Sequence, residues 1–183
     1  MKKNRICPVE RAGSLDNRFR RWLQDPQKIV GPFVKEHMTV VDLGCGPGFF
    51  SVDMAQMVGE HGRVIAADVQ DGMLQRLRAK IKGTVLEKRI VLHKCENGKI
   101  GIAAQVDFIL AFYMVHEIPD KGCFFTEIES ILKPDALLLM VEPPFHVSSK
   151  TFNQTLEIAR AAGLIVNERP RILLSKAVLM KKG

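Results

Sequence analysis

Residues 40–50 read VVDLGCGPGFF, an apolar strand that runs straight into alternate glycines at Gly44, Gly46 and Gly48. No other feature constrains the fold as much. Glycine enters left-handed backbone without steric cost. Three at this spacing predict a tight turn that swings a strand into a helix, with backbone N–H groups brought close to a ligand and no side chain in the way. Two acids frame the turn. Asp42 lies two residues before Gly44, and Asp68 lies near the end of the next predicted strand, Arg63–Val69. Carboxylates in those places suit a ligand that brings hydroxyls and a cation, and they suit a pyrophosphate poorly. The dinucleotide fingerprint G-x-G-x-x-G would in addition need its third glycine where Phe49 stands.

Strand and helix patterns alternate from residue 39 onward. Strands are predicted at Thr39–Cys45, Arg63–Val69, Arg89–Cys95, Val106–Met114, Ala136–Glu142, Leu164–Arg171 and Lys176–Lys181. A helix follows the glycines over Phe49–Gly59. Asp71 is a candidate cap for the next, where Leu74, Leu77 and Ile81 share a stripe. Asp120 starts another, carrying Phe124, Phe125, Ile128, Ile131 and Leu132, and Pro134 stops it. The last carries Phe152, Thr155, Leu156 and Ala159, and Gly163 ends it. Central strands such as Phe108–Tyr113 and Leu137–Val141 are apolar on both faces, as a parallel sheet covered by helices requires. Only Ile172–Ser175 separates the last two strands, too short for a parallel crossover, so that pair should be antiparallel. The fold class expected is α/β: a doubly wound, seven-stranded, mostly parallel sheet with an antiparallel last strand. Residues 39–183 form this domain. Residues 1–38 are expected to form an N-terminal helical segment with an apolar stripe of Leu15, Phe19, Trp22 and Leu23 among Arg18, Arg20 and Arg21, followed by Asp25-Pro26 as the start of a second helix.

Composition narrows the classes. The chain has 183 residues, 46% of them hydrophobic, which suffices for one domain with a substantial core. The longest apolar runs are strand-length, so no membrane span is expected. Met1–Glu10 is basic without an apolar core of leader length, so secretion is not expected. The four cysteines at 7, 45, 95 and 123 form no C-x-x-C pair and no cluster with histidine. Neither a structural metal nor a disulfide framework is expected, and a reducing cytoplasm is. The net charge of +7 gathers at both ends of the chain, which fits an anionic partner such as RNA or an ordinary basic surface. A single Trp and a single Tyr supply a poor stacking platform for bases, so RNA is not favoured.

The string DLGCGPG stands between a strand and a helix, with Asp68 at the next strand end. It resembles motif I of the class I, seven-stranded S-adenosylmethionine-dependent methyltransferases. The alternation of elements extends the likeness over residues 39–182, and the string MVHEIPD at 114–120 is similar to one in the broad quinone-biosynthesis and small-molecule group. The resemblance implies S-adenosyl-L-methionine as cofactor. Gly44, Cys45, Gly46, Gly48 and Phe49 would pass under its methionyl part, and Asp42 would orient the turn or receive the amino group. Asp68 would accept from both ribose hydroxyls, and Val69 and Met73 would flank the adenine. Many relatives place an Asp after the third strand, where this chain has Lys94-Cys95-Glu96-Asn97, which leaves the adenine contact between Cys95 and Glu96. Ala111 and Phe112 would lie beside the sulfonium.

The resemblance puts the methyl acceptor near Trp22, His116, Glu117 and Phe145, with His116 the candidate general base and the N-terminal segment a lid. Glu142-Pro143-Pro144-Phe145 follows the fifth predicted strand, one unit later than the amine-methylating Asn/Asp-Pro-Pro-Tyr motif, and is not read as one. The leading expectation is in-line methyl transfer to a small-molecule acceptor, by an enzyme that is either a monomer or a homodimer. The alternatives are an RNA or protein methyltransferase docking through its basic N-terminal segment, and a non-catalytic S-adenosylmethionine-binding protein. An arsenite methyltransferase using Cys7 and Cys95 is less favoured, because its thiols do not cluster.

Overall fold

A computed structural model describes residues 23–96 and 98–183. Most of the expected lid segment, Trp22 included, lies outside the described residues. Seven strands, β1 (Thr39–Leu43), β2 (Arg63–Asp68), β3 (Ile90–Lys94), β4 (Val106–Phe112), β5 (Leu132–Glu142), β6 (Leu164–Glu168) and β7 (Lys176–Lys182), form one sheet in the order β3-β2-β1-β4-β5-β7-β6. The described residues divide into two compact units, 23–95 and Glu96–Gly183.

The first unit holds α1 (Pro26–Val30), β1 (Thr39–Leu43), α2 (Phe49–Met57), β2 (Arg63–Asp68), α3 (Asp71–Ile81) and β3 (Ile90–Lys94). Its three strands are parallel, with Asp42 opposite Ala66 and Ala66 opposite Leu92. Asp25 caps α1 by accepting from the Gln27 N–H, and Pro26 takes the first helical position, where a missing N–H costs nothing. Pro26, Ile29 and Val30 are buried, so the described part of the N-terminal segment packs into this unit. Helix α3 buries Met73, Leu74, Leu77 and Ile81 on one stripe. Its cap is Gln70 and not Asp71. Asp71 is already helical, and its carboxylate accepts from the Gln75 side chain one turn on.

The second unit holds β4 (Val106–Phe112), α4 (Lys121–Ile131), β5 (Leu132–Glu142), α5 (Ser149–Ala161), β6 (Leu164–Glu168) and β7 (Lys176–Lys182). Strands β4 and β5 are parallel, and β7 runs antiparallel to both β5 and β6, as the short link predicted. Asp120 caps α4 through the Cys123 N–H. Several elements end earlier than expected, each for a local reason. Strand β1 stops at Leu43 because Gly44 turns to φ 68°, and β4 stops at Phe112 because Tyr113 turns to φ 59°. Strand β6 stops at Glu168, two residues before Pro170, which has no N–H to give a ladder. Helix α4 ends at Ile131 rather than at Pro134. Proline disfavours helical backbone at Lys133, and Leu132 is already extended at ψ 130°. The chain therefore enters β5 early, and a register shift between Val106 and Phe108 absorbs the extra length. Phe108, Leu110, Phe125, Ile128 and Leu138 fill the core, each fully buried and worth about 1.5–3 kcal/mol.

Candidate functional site

The glycine turn of the first unit is tied to the end of β2. The N–H groups of Gly44 and Cys45 both donate to the Ala67 carbonyl, at 2.8 and 3.0 Å, and Gly48 N–H donates to the Cys45 carbonyl at 3.0 Å. Gly46 N–H donates to Asp68 Oδ2 at 2.9 Å. These four donors are therefore spent inside the protein and do not await a ligand, contrary to the expectation from the glycine spacing. The neighbouring strand end is close enough to take them, which pins the turn. The glycines differ in purpose. All three have positive φ: 68° at Gly44, 53° at Gly46 and 83° at Gly48. A Cβ on Gly48 would stand 2.3 Å from Leu77 Cδ1 of α3, whereas a Cβ on Gly46 would meet nothing within 4 Å. Gly48 lets two helices approach, and Gly46 faces open space.

Asp68 is only 6% exposed. Its second oxygen, Oδ1, accepts from Gln70 N–H at 2.8 Å. A carboxylate offers about four lone-pair sites, so Asp68 keeps acceptor capacity beyond its backbone partners, beside the open face of Gly46. Burial raises the Asp68 pKa above the ordinary range, against the lowering effect of N–H groups from Gln70, Gly46 and Val69. Asp42 is buried on β1 and accepts from the Ser51 hydroxyl, which ties α2 to the strand. Cys45 is buried beside these acids. Burial first, then Asp42, Asp68 and Cys95, push its thiol pKa far up, so it stays protonated. Cys95 N–H donates to the Asp68 carbonyl at 3.0 Å, which brings Cys95 to the end of β2. Val69 is exposed beside the turn, while Met73 and Phe49 are buried. Glu96 is exposed and bridges to Lys99 in the second unit.

In the second unit, Ala111 and Phe112 are buried at the end of β4. Tyr113 follows in left-handed backbone. Its N–H donates to the Val141 carbonyl at 2.8 Å, and its hydroxyl lies 2.6 Å from Ser175 Oγ. A single 3-10 turn, Val115–Glu117, then carries His116 and Glu117. Glu142 closes β5 and is 2% exposed. Both its oxygens meet His116: Oε1 accepts from the main-chain N–H at 3.1 Å, and Oε2 lies 2.6 Å from Nδ1. The other ring nitrogen, Nε2, is 4.0 Å from Glu117 Oε1, and the His146 ring stacks 6.4 Å away. The hydrogen bond to Glu142 raises the His116 pKa above 6.5. Glu142 and Glu117 charge adds to this, while burial and Lys121 oppose it.

Phe145 is 88% exposed just beyond β5. Sequence reasoning passed over Glu142 as part of a proline motif. The available signal was an acid ending the apolar run Leu137–Val141, since a carboxylate closing a central strand needs a partner. Tyr113 and Ser175, 62 residues apart, left no such signal. Among the described residues, no helix is long and apolar enough to cross a membrane.

Residues 34–171 match the model of a family described as a methyltransferase domain. The chain is 31% identical over 110 residues to a demethylmenaquinone methyltransferase of Lactobacillus johnsonii, covering 60% of this chain and 45% of that one. It is 26% identical to a ubiquinone/menaquinone biosynthesis C-methyltransferase of Haemophilus ducreyi, covering 74% and 54%. The chain thus spans about half the length of the curated relatives it matches. Among solved structures, an S-adenosylmethionine-dependent methyltransferase from Aquifex aeolicus superimposes with a TM-score of 0.85 at 30% identity, covering 96% of this chain and 98% of that one. A protein from Methanococcus maripaludis shares the fold, with a TM-score of 0.79 at 18% identity, covering 100% and 97%.

Proposed function

Because this chain belongs to the methyltransferase-domain family, we propose that it uses S-adenosyl-L-methionine to methylate a small-molecule acceptor. The observation that carries the reading is the pinned Asp68 carboxylate, held by backbone N–H groups beside an open glycine turn. A fixed carboxylate acceptor at that place fits the ribose hydroxyls of a nucleoside. The two buried acids, Asp42 and Asp68, fit a ligand carrying an ammonium and a sulfonium, and they would repel a pyrophosphate. The residues present therefore suit the cofactor. Gly44 to Phe49 would underlie its methionyl part, Val69 and Cys95 would stand near its base, and Asp68 would hold its sugar.

When bound, the cofactor supplies an electrophilic methyl group, which the acceptor's electron pair takes while sulfur leaves as a neutral thioether. The protein's task is then to align and to exclude water. Where the acceptor arrives protonated, it must also accept a proton. His116, whose Nε2 lies on the ring edge away from Glu142, serves as that base. Free thiols at Cys45, Cys95 and Cys123 fit a reducing compartment, and the reading places the protein in the cytoplasm.

The test is methyl transfer from methyl-labelled S-adenosylmethionine to a cell extract separated into metabolite, RNA and protein fractions. Label is expected in the metabolite fraction. Label confined to RNA or to protein would overturn the small-molecule assignment, and label in none would favour a binding protein without catalysis.

A further inference from the structure

The His116–Glu142 pair is built more closely than a surface ion pair. Glu142 is buried at the end of an apolar strand, where an unpaired carboxylate would cost several kcal/mol. It meets this cost with one residue, gripping the main-chain N–H of His116 with one oxygen and the ring with the other, at 3.1 and 2.6 Å. Two contacts to one residue fix both the backbone turn and the rotation of the imidazole. The residues are 26 apart in sequence and lie on different elements, the 3-10 turn after β4 and the end of β5. The His116 side chain keeps about a quarter of its surface exposed. The groups facing it are Glu142 from β5, Glu117 from its own turn, Lys121 from α4 and His146 from the loop after β5.

We infer that Glu142 is the positioning residue for His116, holding the proton on Nδ1 so that the lone pair on Nε2 is the one presented to a methyl acceptor. This rests on the methyl-transfer reading. An ionised carboxylate accepts only, so Nδ1 must donate to it, and in the neutral ring the acceptor is then Nε2. The acceptor's X–H bond breaks toward Nε2, its electron pair stays on X and becomes available to the methyl carbon, and His116 becomes an imidazolium neutralised by Glu142. The proton afterwards passes to water. The raised affinity of His116 for a proton, with the hydrogen bond to Glu142 as its main cause, acts in the same direction. A structural ion pair would need no particular tautomer.

The experiment reads nitrogen and Cε1 resonances of the histidines of the full chain across pH, without cofactor, with His116 assigned through His116→Asn. In the unsubstituted protein, the neutral ring of His116 is expected as the Nδ1–H tautomer, with its titration raised above the ordinary histidine value. In Glu142→Gln the midpoint should fall toward the ordinary histidine value, and the tautomer preference should be lost. With an acceptor fraction in hand, turnover of that variant should fall about tenfold or more, and the acidic limb of its pH profile should move to lower pH. An Nε2–H tautomer in the unsubstituted protein overturns the inference even if the variant fails to fold. So does an unmoved His116 titration in folded Glu142→Gln. Failure to bind S-adenosylmethionine is read separately, by calorimetry, and bears on the methyl-transfer reading alone.

Discussion

Asp68 does two things at once, and removing it tests both. Asp68→Ala leaves Gly46 and Gln70 N–H without their acceptor and takes away the carboxylate beside the turn. A charge-assisted hydrogen bond is worth about 1.5–3 kcal/mol, so affinity for S-adenosylhomocysteine should fall at least about tenfold by calorimetry while the circular dichroism spectrum stays native. Unchanged affinity would mean that the carboxylate serves the turn alone. His116 gives a second prediction at this scale. Its pKa is raised in the folded protein, so it contributes stability in full below its unfolded value and loses it as pH rises through the raised value. Urea midpoints should therefore carry a component that is lost as pH rises above the ordinary histidine value of 6.5, and that Glu142→Gln removes. The place of Asp68 at a strand end beside the glycine turn could be read from sequence. Glu142 could not, because its partner lies 26 residues away and only the fold brings them together.

At the scale of elements, the sequence marked most strands and helices through periodicity, and their ends were the errors. Local backbone conformation decides those ends, as at Tyr113, whose positive φ stops β4 in a position where apolarity suggested continuation. The glycines make the same point. Gly46 and Gly48 look alike in sequence, yet only Gly48 stands against a neighbouring helix, with Leu77 Cδ1 where its Cβ would go. Gly48→Ala combines left-handed strain with a clash against a fully buried leucine, and should cost about 2–5 kcal/mol in denaturant unfolding. Gly46→Ala meets only the strain, about 1–2 kcal/mol. Its methyl group enters the space above the turn, so it should lose cofactor affinity out of proportion to its stability. Equal stability losses in the two variants would contradict this division of roles.

For the molecule as a whole, alternation of strands and helices and one short final link were enough to read the seven-stranded class, because parallel sheets demand doubly apolar strands and long crossovers. The acceptor was not legible in the same way: it depends on side chains that close the strand ends, and Trp22, the expected aromatic contact, lies outside the described residues. All seven strands lie within residues 39–182, so removal of residues 1–22 should leave a folded protein that still binds cofactor, checked by thermal melting with and without S-adenosylhomocysteine. The central claim is that the glycine turn and Asp68 form a site for an adenosyl sulfonium and not for a dinucleotide. Isothermal titration of the full chain with S-adenosylmethionine, S-adenosylhomocysteine and NAD tests it most directly. The account predicts micromolar-order binding of the first two, about 8 kcal/mol, and no heat from NAD. Tight NAD binding with no response to either adenosyl ligand would contradict it.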